Sequence, residues 1–213
     1  MAIPFFSIDF TFAEWKSFLK SHWKPFDTSE RNGKELNKIL KSRFPDKNIT
    51  LFPSARMAFY FVLKNAFDKG DEVIFPAMGF PLYVKIGLQL GLKPRFVDVE
   101  DKHYTIDHNS LKKNITPKTK GIVVTHLFGH PCQMDEIMKI ASENNLKVVE
   151  DAAHSFGSMK DGKRVGSEGD VVCFSFDGIK NITSGEGGAV VTNDKALAKR
   201  IKDARLLGVV KDT

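Results

Sequence analysis

From Ile49 onward the sequence alternates short apolar runs with amphipathic stretches of helical period, a rhythm that few folds accept. Ile49 to Pro53, Glu72 to Pro76, Pro94 to Val99, Gly121 to Phe128, Lys147 to Glu150, Val171 to Phe176 and Ala189 to Thr192 read as strands. Ser54 to Lys69, Leu82 to Leu92, Met134 to Asn145 and Asp194 to Leu207 read as helices between or after them. Strands that are apolar along their length must be covered on both faces, and interleaved helices supply that cover. The expected fold is therefore a three-layer α/β/α domain around a seven-stranded, mostly parallel sheet. Ahead of it, Thr11 and Glu14 form a T-x-x-E capping box for a helix over 11–24, with Trp15, Phe18, Leu19 and Trp23 on one face. A second helix is expected from Gly33 to Arg43, with Leu36, Ile39 and Leu40 inward, broken by Pro45-Asp46. No repeat, low-complexity tract or linker divides the chain, so one domain over residues 1–213 is expected, with the helices of 1–48 packing on it.

Composition removes several function classes. The net charge is +6 with a pI near 9.2, but the lysines are dispersed and no basic stripe with interleaved aromatics suggests nucleic acid. Mild basicity can still draw anionic small molecules. Two cysteines, Cys132 and Cys173, make no disulfide framework and suit a reducing cytosol. The N-terminus MAIPFFSIDF lacks the pattern of a signal peptide, and no apolar run approaches a membrane span. A cytoplasmic protein that contacts no membrane is expected.

In open parallel sheets ligands bind beyond the carboxyl ends of the strands, so the residues just after each strand carry the argument. After the first comes Pro53-Ser54-Ala55-Arg56-Met57, where a helix opens with free amides that suit an anion, or with a plain N-cap by Ser54. Neither G-x-G-x-x-G nor a Walker lysine is present, which counts against a dinucleotide or NTP fold. After the second strand, Phe80 lies between Gly79 and Pro81; it can stack on a flat ring or be one more buried Phe of the 18 in the chain. After the fifth, Glu150 and Asp151 end an apolar strand, and alternation sends them to opposite faces, so one of the two can point into a site. Asp151, followed by two alanines, can pair with a protonated pyridine nitrogen. His154 can orient that carboxylate, touch a cofactor, or be structural. After the sixth strand come Ser175, with a hydroxyl suited to a phosphate oxygen, and Lys180, in a loop bounded by Gly178 and Gly185. A lysine so placed is either a solvated surface amine or a nucleophile that forms a Schiff base with a carbonyl cofactor. Helix-end amides, an aromatic, an Asp, a Ser and a Lys together match the needs of pyridoxal phosphate; the set contains no metal site.

With these residues the sequence resembles the DegT-type sugar aminotransferases, pyridoxal phosphate enzymes of the aspartate aminotransferase fold. The matching stretches are IPF, SARMAF, GDEVIFPAMGF, THLFGHPCQMDEI, KVVEDAAHSFGS and SFDGIKNITSGEGGAVVTND, in the family's order along nearly the whole chain. The resemblance implies that Lys180 holds the internal aldimine and moves the proton. It implies that Asp151 pairs with the pyridine nitrogen, that His154 lies beside the cofactor and that Phe80 stacks on the ring. Ser175, with the Arg56 and Met57 amides, would hold the phosphate. Family dehydratases carry His at the position of Lys180, so the lysine favours amino transfer. The resemblance also implies that the last strand, Gly188 to Thr192, runs antiparallel; the short connection from Lys180 supports this, since a parallel crossover needs about a dozen residues or more. Ala55 and Arg56 stand where Gly and Thr are common, and His154 where Gln is common. The family's C-terminal small domain has no counterpart up to Thr213, leaving Leu206 to Val210 as apolar surface.

The expected activity is transfer of an amino group from an amino acid of the Glu or Gln type to a keto sugar nucleotide, for cell-surface or antibiotic sugars. A homodimer is expected, with Trp15, Phe18, Trp23 and Leu206 to Val210 available for contact. The alternative is a non-catalytic remnant or interaction subunit that keeps the cofactor domain.

Overall fold

The computed structural model describes residues 28–205, together with 12, 13 and 16. The expected capping box and aromatic face of the first helix, and the apolar run Leu206 to Val210, lie outside the described residues. The chain divides into two compact units, Met1–Pro45 and Asp46–Thr213. In the first, α1 spans Thr28–Arg43, a turn and a half earlier than expected, and Lys41 and Arg43 in its last turn suit the negative end of the helix dipole. Leu40 is buried, but Ile39 is exposed rather than inward.

The second unit contains β1 (Asn48–Phe52), α2 (Ala55–Ala66), β2 (Glu72–Pro76), α3 (Pro81–Gln89), β3 (Lys93–Val97), α4 (His108–Asn114) and β4 (Thr119–Thr125). There follow a short 3-10 turn at Leu127–Gly129, α5 (Met134–Glu143), β5 (Lys147–Asp151), β6 (Met159–Lys160), β7 (Lys163–Arg164), β8 (Val171–Ser175), β9 (Gly188–Thr192) and α6 (Lys195–Arg205). Seven strands form one sheet in the order β1-β9-β8-β5-β4-β2-β3, and β6 pairs with β7 in a separate small hairpin. All sheet pairings are parallel except those of β9, which runs antiparallel to both β1 and β8. The expected sheet and the reversed direction of its last strand are both present.

Residue alternation builds the three layers. Val73, Phe75, Val123, Val149, Val171, Cys173 and Val190 share one core with Ala58, Phe59, Val62 and Leu63 of α2 and with Leu197 and Ile201 of α6. Their sequence neighbours Ile74, Ile122, Val124 and Val148 enter the opposite core, with Leu111 of α4 and Ile137, Ile140 and Ala141 of α5. β8 and β9 are buried at every position, as strands covered on both faces must be. The outermost strand β3 keeps Lys93, Pro94 and a half-exposed Phe96, residues that an unpaired edge tolerates. Glycine permits one tight approach in the core: a Cβ on Gly121 would lie 2.3 Å from the ring of Phe67.

Several boundaries move. β4 ends at Thr125 rather than Phe128, because Phe128 adopts a left-handed backbone (φ 52°) that no strand accepts. β5 extends to include Asp151. α4 was not expected; it is one seven-residue stretch with a single buried side chain, Leu111, and is started by Asp107, whose Oδ1 accepts the Ser110 N–H at 2.6 Å.

Candidate functional site

Because β1, β2, β4, β5 and β8 run in one direction, their carboxyl ends meet at one edge of the sheet, and β9 begins there. A cavity of about 160 Å³ opens at that edge. Ser54, Ala55 and Arg56 reach it from the start of α2, Phe80 and Tyr83 from the start of α3, and Thr125 and Leu127 from the end of β4. Asp151, Ala153 and His154 enter from the end of β5, and Ser175, Asp177, Ile179, Lys180 and Glu186 from the connection between β8 and β9. Of the residues singled out from sequence, Ala55, Arg56, Phe80, Asp151, His154, Ser175 and Lys180 therefore line one cavity. Met57 does not, and its amide donates to Ser54 Oγ at 3.3 Å, the ordinary N-cap bond.

The β5 terminus carries the strongest electrostatics. Asp151 follows Val149 onto the α2 side of the sheet, where it is buried to 3% exposure beside Cys173. Its Oδ1 accepts the Ala153 N–H at 3.2 Å. Burial pushes its pKa up to about 6, against the opposing pull of the Ala153 amide, the Lys180 charge and the Thr125 side chain. The same burial, with Asp151 adjacent, raises the Cys173 thiol and keeps it inert.

Glu150 follows Val148 onto the other face, as alternation requires, and meets a different set of partners. Its Oε2 accepts His126 Nε2–H at 2.9 Å and the Gly166 N–H at 3.0 Å, and its Oε1 accepts the Gly169 N–H at 2.6 Å. Burial alone would raise its pKa, but these donors hold it below the usual carboxylate range. His126 Nδ1 accepts the Cys132 N–H at 3.1 Å, which needs a lone pair there and fixes the neutral Nε2–H tautomer. The His126 backbone N–H donates to Asp151 O at 3.0 Å, and Ser155 Oγ donates to His126 O at 2.7 Å. This network lies behind the cavity and ties the ends of β4 and β5 together.

The rest of the lining is shaped by backbone. The Lys180 N–H donates to Asp177 O at 3.0 Å, while Ser184 N–H and Thr183 Oγ1–H both donate to Phe176 O, which curls the β8–β9 connection over the cavity. Gly188 starts β9 against the first turn of α2: a Cβ there would lie 2.6 Å from the Ala55 nitrogen and the Ser54 carbonyl carbon. The fourth residue of the Gly-Glu-Gly-Gly run thus brings loop and helix together. Ser175 Oγ accepts the Asp177 N–H at 3.4 Å. Phe80 is half exposed and meets Tyr83 edge-on at 5.3 Å, and Tyr83 in turn stacks flat on Phe59 at 3.8 Å. Phe128 lies parallel to His154 at 6.0 Å. Burial and the Lys180 charge both lower the His154 pKa, so its ring is neutral at neutral pH.

Sequence reasoning missed Ser54 as a lining residue, Tyr83, Thr125, Glu186 and the Phe128–His154 contact. Thr125 was within reach: it ends a strand, but reading β4 through to Phe128 hid the terminus. Tyr83 lies one turn inside α3, where no strand-end rule looks. Among the described residues, no cluster of three or more His, Cys, Asp or Glu can hold a metal ion, and no helix is long and apolar enough to cross a membrane.

The model of the DegT/DnrJ/EryC1/StrS aminotransferase family matches residues 17–213. GDP-perosamine synthase of Escherichia coli O157:H7 is 46% identical over 133 residues, covering 62% of this chain and 36% of that protein. The apo-form structure of the putative sugar aminotransferase Spr1654 from Streptococcus pneumoniae superposes with a TM-score of 0.89 at 28% identity, over 99% of this chain and 58% of that one. PseC of Helicobacter pylori, an aminotransferase of pseudaminic acid biosynthesis, superposes with a TM-score of 0.74 at 32% identity, over 78% of this chain and 45% of that one. The chain spans little more than a third of the length of that GDP-perosamine synthase. With the family model covering nearly the whole sequence and the cavity lying where the strand directions reverse at β9, the chain belongs to the DegT/DnrJ/EryC1/StrS aminotransferase family.

Proposed function

We propose that the protein to which this chain belongs transfers an amino group from an amino acid to a keto sugar nucleotide with pyridoxal phosphate, and that residues 1–213 make its cofactor-binding large domain. The observation that carries this reading is the buried Asp151 at the end of β5 facing the same cavity as Lys180. The donor set suits the cofactor: a carboxylate sunk in the floor, an amine across from it, an exposed aromatic face and helix-end amides. When bound, pyridoxal phosphate supplies a carbonyl for amine exchange and an electron-withdrawing ring. Asp151, held by the Ala153 amide, is suited to keep a proton on a ring nitrogen. Lys180 would supply the amine that engages the carbonyl and is placed to move a proton to and from carbon. Ser175 and the Ala55 and Arg56 amides at the start of α2 would receive the phosphate, assisted by the helix dipole. Phe80 and the neutral His154 would confine the ring.

The names of the relatives support a nucleotide-linked sugar as acceptor: GDP-perosamine is the product named for one, and UDP-N-acetyl-3-dehydro-alpha-D-glucosamine the sugar named for an Acidithiobacillus ferrooxidans aminotransferase that is 42% identical over 137 residues. The half-exposed Phe80 and Ile179 and the exposed Phe128 at the cavity rim support a second subunit over the site, in a homodimer. The test is amino transfer from glutamate or glutamine to a panel of keto sugar nucleotides, read as aminated product by mass. Product that depends on Lys180 supports the reading. Cofactor capture without turnover of any acceptor favours the non-catalytic alternative.

A further inference from the structure

The cavity has an unbalanced charge for the ligand proposed above. Among its lining residues the cationic side chains are Arg56 and Lys180, against the carboxylates of Asp151, Asp177 and Glu186. His154 adds no charge, since burial and Lys180 keep it neutral. Lys180 is committed to the carbonyl, so a phosphate dianion finds one unassigned cation, Arg56. That residue is the second of α2, and no acidic side chain occupies the helix's first turn. A guanidinium there opposes the helix dipole unless an anion accompanies it. Its present partner is Glu186, with Arg56 Nη2 3.7 Å from Glu186 Oε1 and both side chains more than half exposed. A long, solvated pair of this kind holds weakly. A guanidinium also matches phosphate oxygens two at a time, a stronger contact than the one it makes now.

The two residues cannot drift apart. Glu186 is two positions before Gly188, which packs directly on the Ser54–Ala55 backbone. Arg56 thus lines the cavity beside the amides of its own helix end.

We infer that the Arg56 side chain is a phosphate-binding group of this site, held by Glu186 until a phosphate displaces that carboxylate. The inference rests on the pyridoxal phosphate reading for the identity of the ligand, but not for the presence of a phosphate site. The phosphate could belong to the cofactor or to the diphosphate of a sugar nucleotide; the geometry favours the cofactor, because Arg56 adjoins the amides of the same helix end.

The test compares the wild-type protein with Arg56→Ala, Arg56→Lys and Glu186→Gln. Four probes are used: pyridoxal phosphate, pyridoxal without its phosphate, inorganic phosphate and UDP. Carbonyl capture is read by absorbance and fixed with borohydride; inorganic phosphate is read as a shift in thermal midpoint. Arg56→Ala should weaken capture of pyridoxal phosphate about tenfold or more and leave capture of pyridoxal unchanged. It should also remove the phosphate-induced thermal shift. Arg56→Lys should restore part of both effects, and Glu186→Gln should tighten pyridoxal phosphate and enlarge the phosphate-induced shift while leaving pyridoxal unchanged. Equal loss for both carbonyl probes, or no loss for either, would overturn the inference while leaving the cofactor reading intact. Failure of the wild type to capture either carbonyl would overturn the cofactor reading instead, and the phosphate shift would then decide for or against Arg56. A UDP-induced shift that Arg56→Ala abolishes, with pyridoxal phosphate unaffected, would assign the residue to substrate and contradict the inference as stated.

Discussion

Asp151 is the residue at which stability and function oppose each other. Its carboxyl carries an ordinary value of 3.8 and is pushed up to about 6 by burial, so the folded protein binds the proton more tightly than the unfolded chain. Stability from this group is fully present below about pH 3.8 and is lost as pH rises through about 6. Above that range the cost amounts to about 3 kcal/mol, from the two-unit displacement at 1.36 kcal/mol per unit. Asp151→Asn should therefore raise the thermal midpoint of the cofactor-free protein at pH 8 and change little at pH 4. The same substitution should weaken capture of pyridoxal phosphate, since the neutral amide cannot counter a ring N–H⁺. Melting curves at the two pH values check the first half; a midpoint that falls equally at both would contradict it. Lys180→Ala should change stability by no more than about 0.5 kcal/mol, because the lysine is a partly buried loop residue, and should abolish carbonyl capture.

At the scale of elements, the end of β5 shows how one residue of alternation separates two roles. Asp151 faces the cavity; Glu150 faces away and ties His126, Gly166 and Gly169 together. Removing Glu150 as Glu150→Ala strands buried donors and should cost about 3–5 kcal/mol by denaturant unfolding. Because the Glu150 pKa is held below its ordinary value of 4.5, its contribution is present above pH 4.5 and fades as pH falls through the folded value. The destabilisation caused by Glu150→Ala should accordingly shrink in strong acid. Gly188→Ala would drive a Cβ to within 2.6 Å of the α2 backbone and should part β9 from that helix. Weaker phosphate-dependent binding, with the sheet intact by circular dichroism, is the expected reading. The period-two pattern of the strands, the strand-end position of Asp151 and the loop position of Lys180 were all legible in the sequence, since each depends on neighbours along the chain. Glu150's partners were not: His126 is 24 positions away and Gly166 and Gly169 come from a loop with no periodicity. The left-handed Phe128 and the short α4 escaped for the same reason, being fixed by tertiary packing and one Asp107 cap rather than by a repeating pattern.

For the molecule as a whole, strand direction does most of the assembly. Carboxyl ends of β1, β2, β4, β5 and β8 converge, and residues from Ser54 to Glu186 reach one cavity although they span most of the second unit. What the sheet does not supply is cover over the rim, where Phe128 is 76% exposed and Ile179 57%. The chain covers 36% of one curated relative and 39% and 43% of two others. Light scattering on the whole protein should give a dimer, and hydrogen exchange should show residues 127–130 and 176–186 protected relative to a monomeric variant. The most direct measurement of the central claim is borohydride reduction of the protein with pyridoxal phosphate, followed by peptide mass mapping. The account requires the added mass on the peptide containing Lys180, lost in Lys180→Ala and reduced in Asp151→Asn. Label scattered over surface lysines, with Lys180 unmodified, would contradict it.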